Sequence, residues 1–112
     1  MPAKPKNKSM YNIPVEATLD VIGGKWKTVI LYCLIEGPKR TSELKKDIPD
    51  ITQKMLTQQL KELVEDEIIT RTVYNQVPPK VVYELSPLGR SLESILDLMC
   101  DWGDRYMKGY IK

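Results

Sequence analysis

The feature that most constrains the fold is a change in the spacing of apolar residues after Asp66. Before that position, apolar residues recur every three or four residues, which is the spacing of amphipathic helices. Residues 68–74 and 80–85 instead form two short segments rich in β-branched and aromatic residues. A polar segment with two prolines, residues 75–79, separates them. The pattern predicts a β-hairpin that directly follows a series of helices.

Four helices are expected before the hairpin, over residues 14–22, 25–35, 41–48 and 53–66. The second has an apolar stripe at i, i+3, i+4, i+7, i+8 spacing: Trp26, Val29, Ile30, Cys33 and Leu34. Thr41 or Ser42 is expected to cap the third helix, and Thr52 the fourth.

The third and fourth helices are joined by a tight turn around Pro49-Asp50, as in a helix-turn-helix pair. A last helix is predicted from Pro87 towards Tyr110. The predicted fold class is mainly α with a small β-hairpin: a winged helix-turn-helix with flanking N- and C-terminal dimerisation helices. We assign residues 11–112 to this single domain, and the basic, proline-rich residues 1–10 to a disordered N-terminal arm.

The outward face of the fourth helix carries side chains suited to a DNA major groove. With 100° per residue, its leucines share one arc and polar residues occupy the opposite one. Gln can pair with adenine, Lys can reach guanine or phosphate, and Thr can do either. The candidate DNA-binding residues of this helix are Gln53, Lys54, Thr57, Gln58 and Lys61. The alternative is an ordinary solvated helix face, which also carries Lys and Gln.

Further cations flank this helix in the sequence. Arg71 and Lys80 of the hairpin are candidates to follow a phosphate backbone. Lys45 and Lys46 lie on the helix that crosses the backbone in a helix-turn-helix, and Lys25 precedes the second helix. For Lys25, Lys45 and Lys46 the alternative is a single exposed lysine.

Composition limits the chemistry that is available to the chain. Its 112 residues include no His, which removes Ser-His-Asp and Cys-His catalysis and any His-ligated metal site. We therefore expect no enzyme activity, cofactor or metal. The two cysteines form no disulfide framework, and no apolar run could span a bilayer, so we expect a cytoplasmic protein without membrane partners.

The net charge of +2 is unevenly distributed along the chain. Residues 1–61 contain 11 basic and 6 acidic residues, whereas residues 62–112 contain 6 basic and 9 acidic residues. An uneven field of this kind can direct a basic face towards an anionic partner, and a normal solvated surface is the alternative.

The last helix carries more apolar surface than packing on one domain requires. Its apolar residues recur at a near-heptad spacing: Leu88, Leu92, Ile95, Met99, Trp102 and Tyr106. Leu96, Leu98 and Tyr110 broaden this stripe. We expect a second copy of the chain to cover it, which would place two recognition helices about 34 Å apart. The alternative is packing on the N-terminal helix of the same chain.

Four segments of the chain resemble the HxlR-type winged helix-turn-helix transcription regulators, which are similar to the MarR group. They are PVEATLDVIGGKW from Pro14, ITQKMLTQQL from Ile51, VPPKVVYEL from Val77 and SPLGRSL from Ser86. The resemblance implies a dimeric, sequence-specific bacterial regulator that binds double-stranded DNA, with the helix after Thr52 in the major groove and the hairpin as the wing. A protein-binding winged-helix adaptor is the alternative. The residues identify no operator, small-molecule effector or sign of regulation.

Three positions depart from the family pattern. Ile13 stands where redox-sensing members carry a cysteine, so we expect the thiol switch of those members to be absent. Thr41 stands where members often have an aromatic residue, and Glu67 where many have glycine. If Glu67 adopts a left-handed conformation there, it costs about 1 kcal/mol relative to glycine.

Overall fold

The computed structural model describes residues 10–109 and has the predicted fold class, a mainly helical chain with one antiparallel hairpin. Most of the predicted arm, residues 1–9, and the end of the predicted last helix, including Tyr110, lie outside the described residues. The helices are α1 (Pro14–Ile22), α2 (Lys27–Leu34), α3 (Thr41–Asp47), α4 (Gln53–Glu65), α5 (Pro87–Arg90) and α6 (Glu93–Met107), and the strands are β1 (Ile69–Tyr74) and β2 (Lys80–Leu85).

Side-chain caps define where the helices of the helix-turn-helix begin. The Thr52 hydroxyl accepts a hydrogen bond from the Met55 amide at 3.0 Å, as its N-cap position predicts. For α3 the prediction of Thr41 or Ser42 was wrong, because the N-cap residue is Arg40. The Glu43 carboxylate accepts from the Arg40 amide at 2.9 Å, and this contact starts the helix one residue earlier than a hydroxyl cap would.

The predicted single last helix was wrong, because it is divided into α5 and α6. The Ser86 hydroxyl accepts from the Gly89 amide and donates to backbone carbonyls at the start of the hairpin, at 2.7 Å for Glu67. Gly89 lies so close to that backbone that a Cβ there would overlap the carbonyl oxygen of Ile68. These contacts fix α5 against β1, and α6 begins at Glu93.

The hairpin is joined to the helical part of the domain by backbone hydrogen bonds. Its register runs from Ile69 opposite Leu85 to Tyr74 opposite Lys80. The Lys39 amide donates to the Tyr83 carbonyl at 2.9 Å, and the Tyr83 amide donates to the Lys39 carbonyl at 2.8 Å. The hairpin is therefore held against the connection between α2 and α3.

The core lies between α2, α3, α4, the base of the hairpin and α6. Fully buried side chains from these elements include Leu31, Leu44, Leu56, Leu60, Leu63 and Leu96. The stripe predicted for α2 was wrong at Val29, which is 42% exposed, and it missed Leu31, which is fully buried. Helix α2 contacts α3, β2 and α6, so its buried surface is wider than one stripe and is rotated from the predicted one.

Candidate nucleic-acid interface

The five predicted residues of α4 lie on its solvent-exposed side. We call this set the outer face of α4: Gln53, Lys54, Thr57, Gln58 and Lys61. The opposite side of the helix is buried through Leu56, Leu60 and Leu63. The structure therefore places these polar and cationic side chains on one accessible surface, and their contact with DNA stays a prediction.

Two hydrogen bonds order side chains on the outer face of α4. The Gln53 amide nitrogen lies 3.4 Å from the Thr57 hydroxyl oxygen, and the Gln58 amide donates to Glu62 at 2.8 Å. Within the described part of the chain, neither Lys54 nor Lys61 is in an ion pair. Both ammonium groups are therefore available to an anion.

Glu62 is buried, although it stands among the acidic residues near the C-terminal end of α4. The Lys27 ammonium lies 2.6 Å from its carboxylate, and the two side chains are only 6% and 10% exposed. Sequence reasoning missed this pair. One signal was available, since Lys27 stands four residues before Leu31, on the side of α2 that faces the core.

The two cations predicted for the wing lie on opposite faces of the hairpin. Arg71 is paired with Tyr83 on the face that continues from Ile69 and Leu85, whereas Lys80 is paired with Tyr74 on the other face. The Lys80 ammonium lies 5.7 Å from the centre of the Tyr74 ring. The structure does not bring these two predicted residues together, because they fall on alternate positions of the strands.

A cleft of about 510 Å³ separates the beginning of α3 from the hairpin. Arg40 and Lys80 both line it, together with Ser42, Glu43 and Tyr74. Arg40 was not among the predicted site residues. It is exposed and faces the same cleft as the wing lysine, so two cations border this space.

The remaining predicted cations have contacts of their own. The Lys45 ammonium donates to the Pro49 carbonyl at 2.8 Å, which ties it to the turn of the helix-turn-helix. Lys46 is exposed. The Lys25 ammonium lies 4.8 Å from the centre of the Trp26 ring, a cation–π distance, just before α2.

The predicted dimer residues are mostly exposed. We call one set the apolar face of α6: Ile95, Met99, Trp102 and Tyr106, which are between 41% and 58% exposed. The rings of Trp102 and Tyr106 stack at 5.3 Å. Leu88 is also exposed, on α5. Leu92 is half-buried and packs against the core between α5 and α6, and its place in a dimer interface stays a prediction.

The Cys33 thiol is not activated as a nucleophile by its described surroundings. Burial raises the pKa of the Cys33 thiol, which favours its neutral form. The Cys100 thiol is a neighbour of the Tyr32 hydroxyl and raises the pKa of Tyr32. Among residues 10–109 no cluster of acidic or cysteine side chains is arranged to hold a metal, and no helix has the length and apolarity needed to cross a membrane.

Residues 21–110 match the HxlR-like helix-turn-helix family. The chain belongs to this family. It is 68% identical over 100 residues to YtcD of Bacillus subtilis (strain 168), described as an uncharacterized HTH-type transcriptional regulator. That match covers 89% of this chain and 79% of YtcD.

Solved structures of other regulators have the same fold. The redox regulator HypR in its oxidized form is 55% identical, with a TM-score of 0.80 over 82% of this chain and 95% of HypR. A MarR-family regulator from Porphyromonas gingivalis W83 is 34% identical, with a TM-score of 0.79 over 89% of this chain and 95% of that protein. This member of the HxlR-like family is a winged helix-turn-helix transcription regulator, which confirms the predicted family and main function.

Proposed function

We propose that the protein is a cytoplasmic, homodimeric regulator without catalytic activity that reads DNA sequence through the outer face of α4. Residues 11–112 form one functional unit in this proposal. Helix α4 enters the major groove N-terminus first, while Lys45 and Lys46 approach the backbone. The wing contacts phosphates or the minor groove through Arg71 or Lys80.

The arrangement of charge on α4 is the observation that carries this proposal. Its exposed N-terminal turns hold amide, hydroxyl and ammonium groups and no carboxylate. Its acidic residues begin only at Glu62, whose charge is compensated by Lys27. A groove entered by the N-terminal end of α4 therefore meets donors and cations before it meets any carboxylate.

The apolar face of α6 supports the homodimer. Four large side chains are exposed there, and soluble monomers rarely leave a large contiguous apolar patch open to water. A second copy would bring an identical patch, which a two-fold axis can pair with the first. A dimer would also present two copies of α4 to successive major grooves.

The direct test of function is selection of preferred sites from a pool of randomised duplex DNA, followed by gel-shift titration. We expect recovery of a palindromic site that is bound more tightly than random duplex, with affinity that falls steeply as salt increases. No binding even at low salt would contradict the proposal and favour a protein-binding adaptor.

The division of roles between α4 and the wing is tested with Gln58→Ala and Lys80→Ala. Gln58→Ala should cost about 1–3 kcal/mol on the selected site and little on random duplex, because a base contact carries sequence information. Lys80→Ala should weaken binding to both duplexes alike, because a phosphate contact does not. If Gln58→Ala also weakens binding to the selected site and to random duplex alike, this division of roles is wrong.

A further inference from the structure

The outer face of α4 is connected to the protein core by one chain of polar contacts. The Gln58 amide donates to one oxygen of the Glu62 carboxylate at 2.8 Å. The other oxygen of that carboxylate lies 2.6 Å from the Lys27 ammonium. Gln58 is exposed, whereas Glu62 and Lys27 are buried, so the contacts run from the surface of α4 into α2.

The inference rests on the proposed reading of DNA by α4. We propose that Glu62, held in place by Lys27, is a positioning residue that fixes the orientation of the Gln58 amide before DNA binds and thereby sets which base Gln58 prefers.

The chemistry of the two groups favours one orientation of the amide. A carboxylate can only accept hydrogen bonds, so the NH₂ group of Gln58 and not its carbonyl oxygen must face Glu62. A hydrogen bond to an ionised acceptor is about twice as strong as one between neutral groups. The amide of Gln58 is therefore held, while its carbonyl oxygen and second N–H proton are left for a base.

This orientation matches adenine better than guanine. In the major groove adenine offers an N–H donor beside the N7 acceptor, whereas guanine offers two acceptors, O6 and N7. The free oxygen and remaining proton of Gln58 complement the first pattern. To donate to both acceptors of guanine, the amide would need both protons of its NH₂ group and would have to break the charge-assisted bond to Glu62.

Lys27, which lies on a second helix, makes the arrangement of Gln58 and Glu62 rigid. Glu62 lies on α4, in the same helix as Gln58, but Lys27 lies on α2, which packs in the core. If Glu62 had partners only on α4, its carboxylate could move whenever its side chain changed rotamer. An acid bound at its other oxygen by a buried cation is restricted to one position.

The proposal is tested by site selection from randomised duplex DNA with the variant Lys27→Met/Glu62→Met. Apolar replacement of both members of a buried ion pair is often tolerated, and Met at position 62 offers no carboxylate to Gln58. At the base read by Gln58, the preference for adenine over guanine should fall by at least about fivefold. Affinity for random duplex should be unchanged.

Two comparisons separate positioning from a merely structural role. In the Gln58→Ala background, replacing the Lys27–Glu62 pair should cause no further loss of base preference, because the pair acts through Gln58. The matched control is Asp104→Met/Lys108→Met, which removes the 3.0 Å ion pair of α6 and should leave base preference unchanged. A variant at positions 27 and 62 that keeps the wild-type base preference would overturn the proposal, even if its stability falls.

A measurement on the wild-type protein applies if the double variant does not fold. Without DNA, ¹⁵N relaxation of the side-chain amides should show Gln58 ordered on the nanosecond timescale and Gln76 of the wing loop mobile. Equal mobility of the two amides would overturn the positioning role. If the wild type instead shows no base preference at any position, the proposed function itself fails. Failure of the proposed function is thereby distinguished from failure of the positioning role of Glu62.

Discussion

Helices α4 and α6 are both amphipathic and of similar length, yet they leave opposite kinds of surface exposed. Helix α4 buries three leucines and exposes amides, a hydroxyl and ammonium groups. Helix α6 buries one leucine fully, Leu96, and exposes the four large side chains of its apolar face. One exposed surface suits an anionic, hydrogen-bonding partner, and the other suits an apolar one.

The comparison also shows how firmly each helix is attached to its own domain. Leu56, Leu60 and Leu63 fix α4 in the core, and the Lys27–Glu62 pair adds a polar attachment. Helix α6 is attached chiefly through Leu96 and Leu92. The helix proposed to read DNA is thus supported by its own chain, whereas the helix proposed to form the dimer has apolar surface left for another chain.

The largest effect is expected from truncation of a leucine in each helix. Leu60→Ala should lower the free energy of unfolding by about 2–5 kcal/mol, because it leaves a cavity in the core. Leu98→Ala should change the free energy of unfolding of the monomer by about 0.5 kcal/mol or less, because Leu98 is 69% exposed in the single chain. Chemical denaturation at low protein concentration measures both. Similar losses in the free energy of unfolding for the two variants would mean that the two helices are buried to the same extent.

The next effect concerns association. Met99→Glu/Trp102→Glu places two carboxylates on the apolar face of α6 and should raise the dimer dissociation constant about 100-fold or more, because buried charges are costly. Sedimentation equilibrium measures the change. The control is Ser94→Glu, on the polar side of the same helix, which should leave association unchanged. A dimer that survives the double substitution would place the interface elsewhere.

A smaller effect is expected on the salt dependence of DNA binding. Lys54→Gln/Lys61→Gln should reduce the slope of log affinity against log salt by up to about 2, since each lost phosphate contact removes about 0.9. Lys108→Gln on α6 should not change it, because that ammonium already pairs with Asp104 on the polar side of the helix. If Lys108→Gln reduces the salt slope as much as Lys54→Gln/Lys61→Gln does, the lysines act by non-specific attraction and not by contact through α4.

The outer face of α4 could be predicted from sequence because helical period alone decides which side chains lie opposite the leucines. The apolar face of α6 followed from the same argument. Both are local properties, because the spacing of residues within one helix decides which way each side chain faces. The same holds for Thr52, whose cap involves only the next three residues.

The features that were missed depend on contacts between distant parts of the chain. Glu62 is buried because Lys27, 35 residues away, compensates its charge. Gly89 of α5 lies against the backbone of Ile68, 21 residues earlier in the chain. Leu31 is buried and Val29 exposed because α2 is covered by several elements at once. Helical period carries no information about such partners.

The smallest effect concerns how the two helices end. After each helix the chain enters the left-handed region, at Glu67 with φ of 62° after α4 and at Gly109 with φ of 79° after α6. The Glu67 amide donates to Val64 at 2.9 Å and the Ile68 amide donates to Leu63 at 3.0 Å, the hydrogen bonds of a Schellman motif. The α6 end uses glycine, the residue that adopts this conformation without strain, whereas the α4 end does not.

Glu67→Gly should therefore raise the free energy of unfolding by about 0.5–1 kcal/mol, since it relieves the left-handed conformation. Glu67→Ala is the matched control, because it removes the same charge but keeps the Cβ, and it should bring no gain. Thermal denaturation of the two variants beside the wild type measures the difference. If Ala stabilises as much as Gly, the cost at this position comes from the carboxylate and not from the backbone, and the ends of α4 and α6 are equally unstrained.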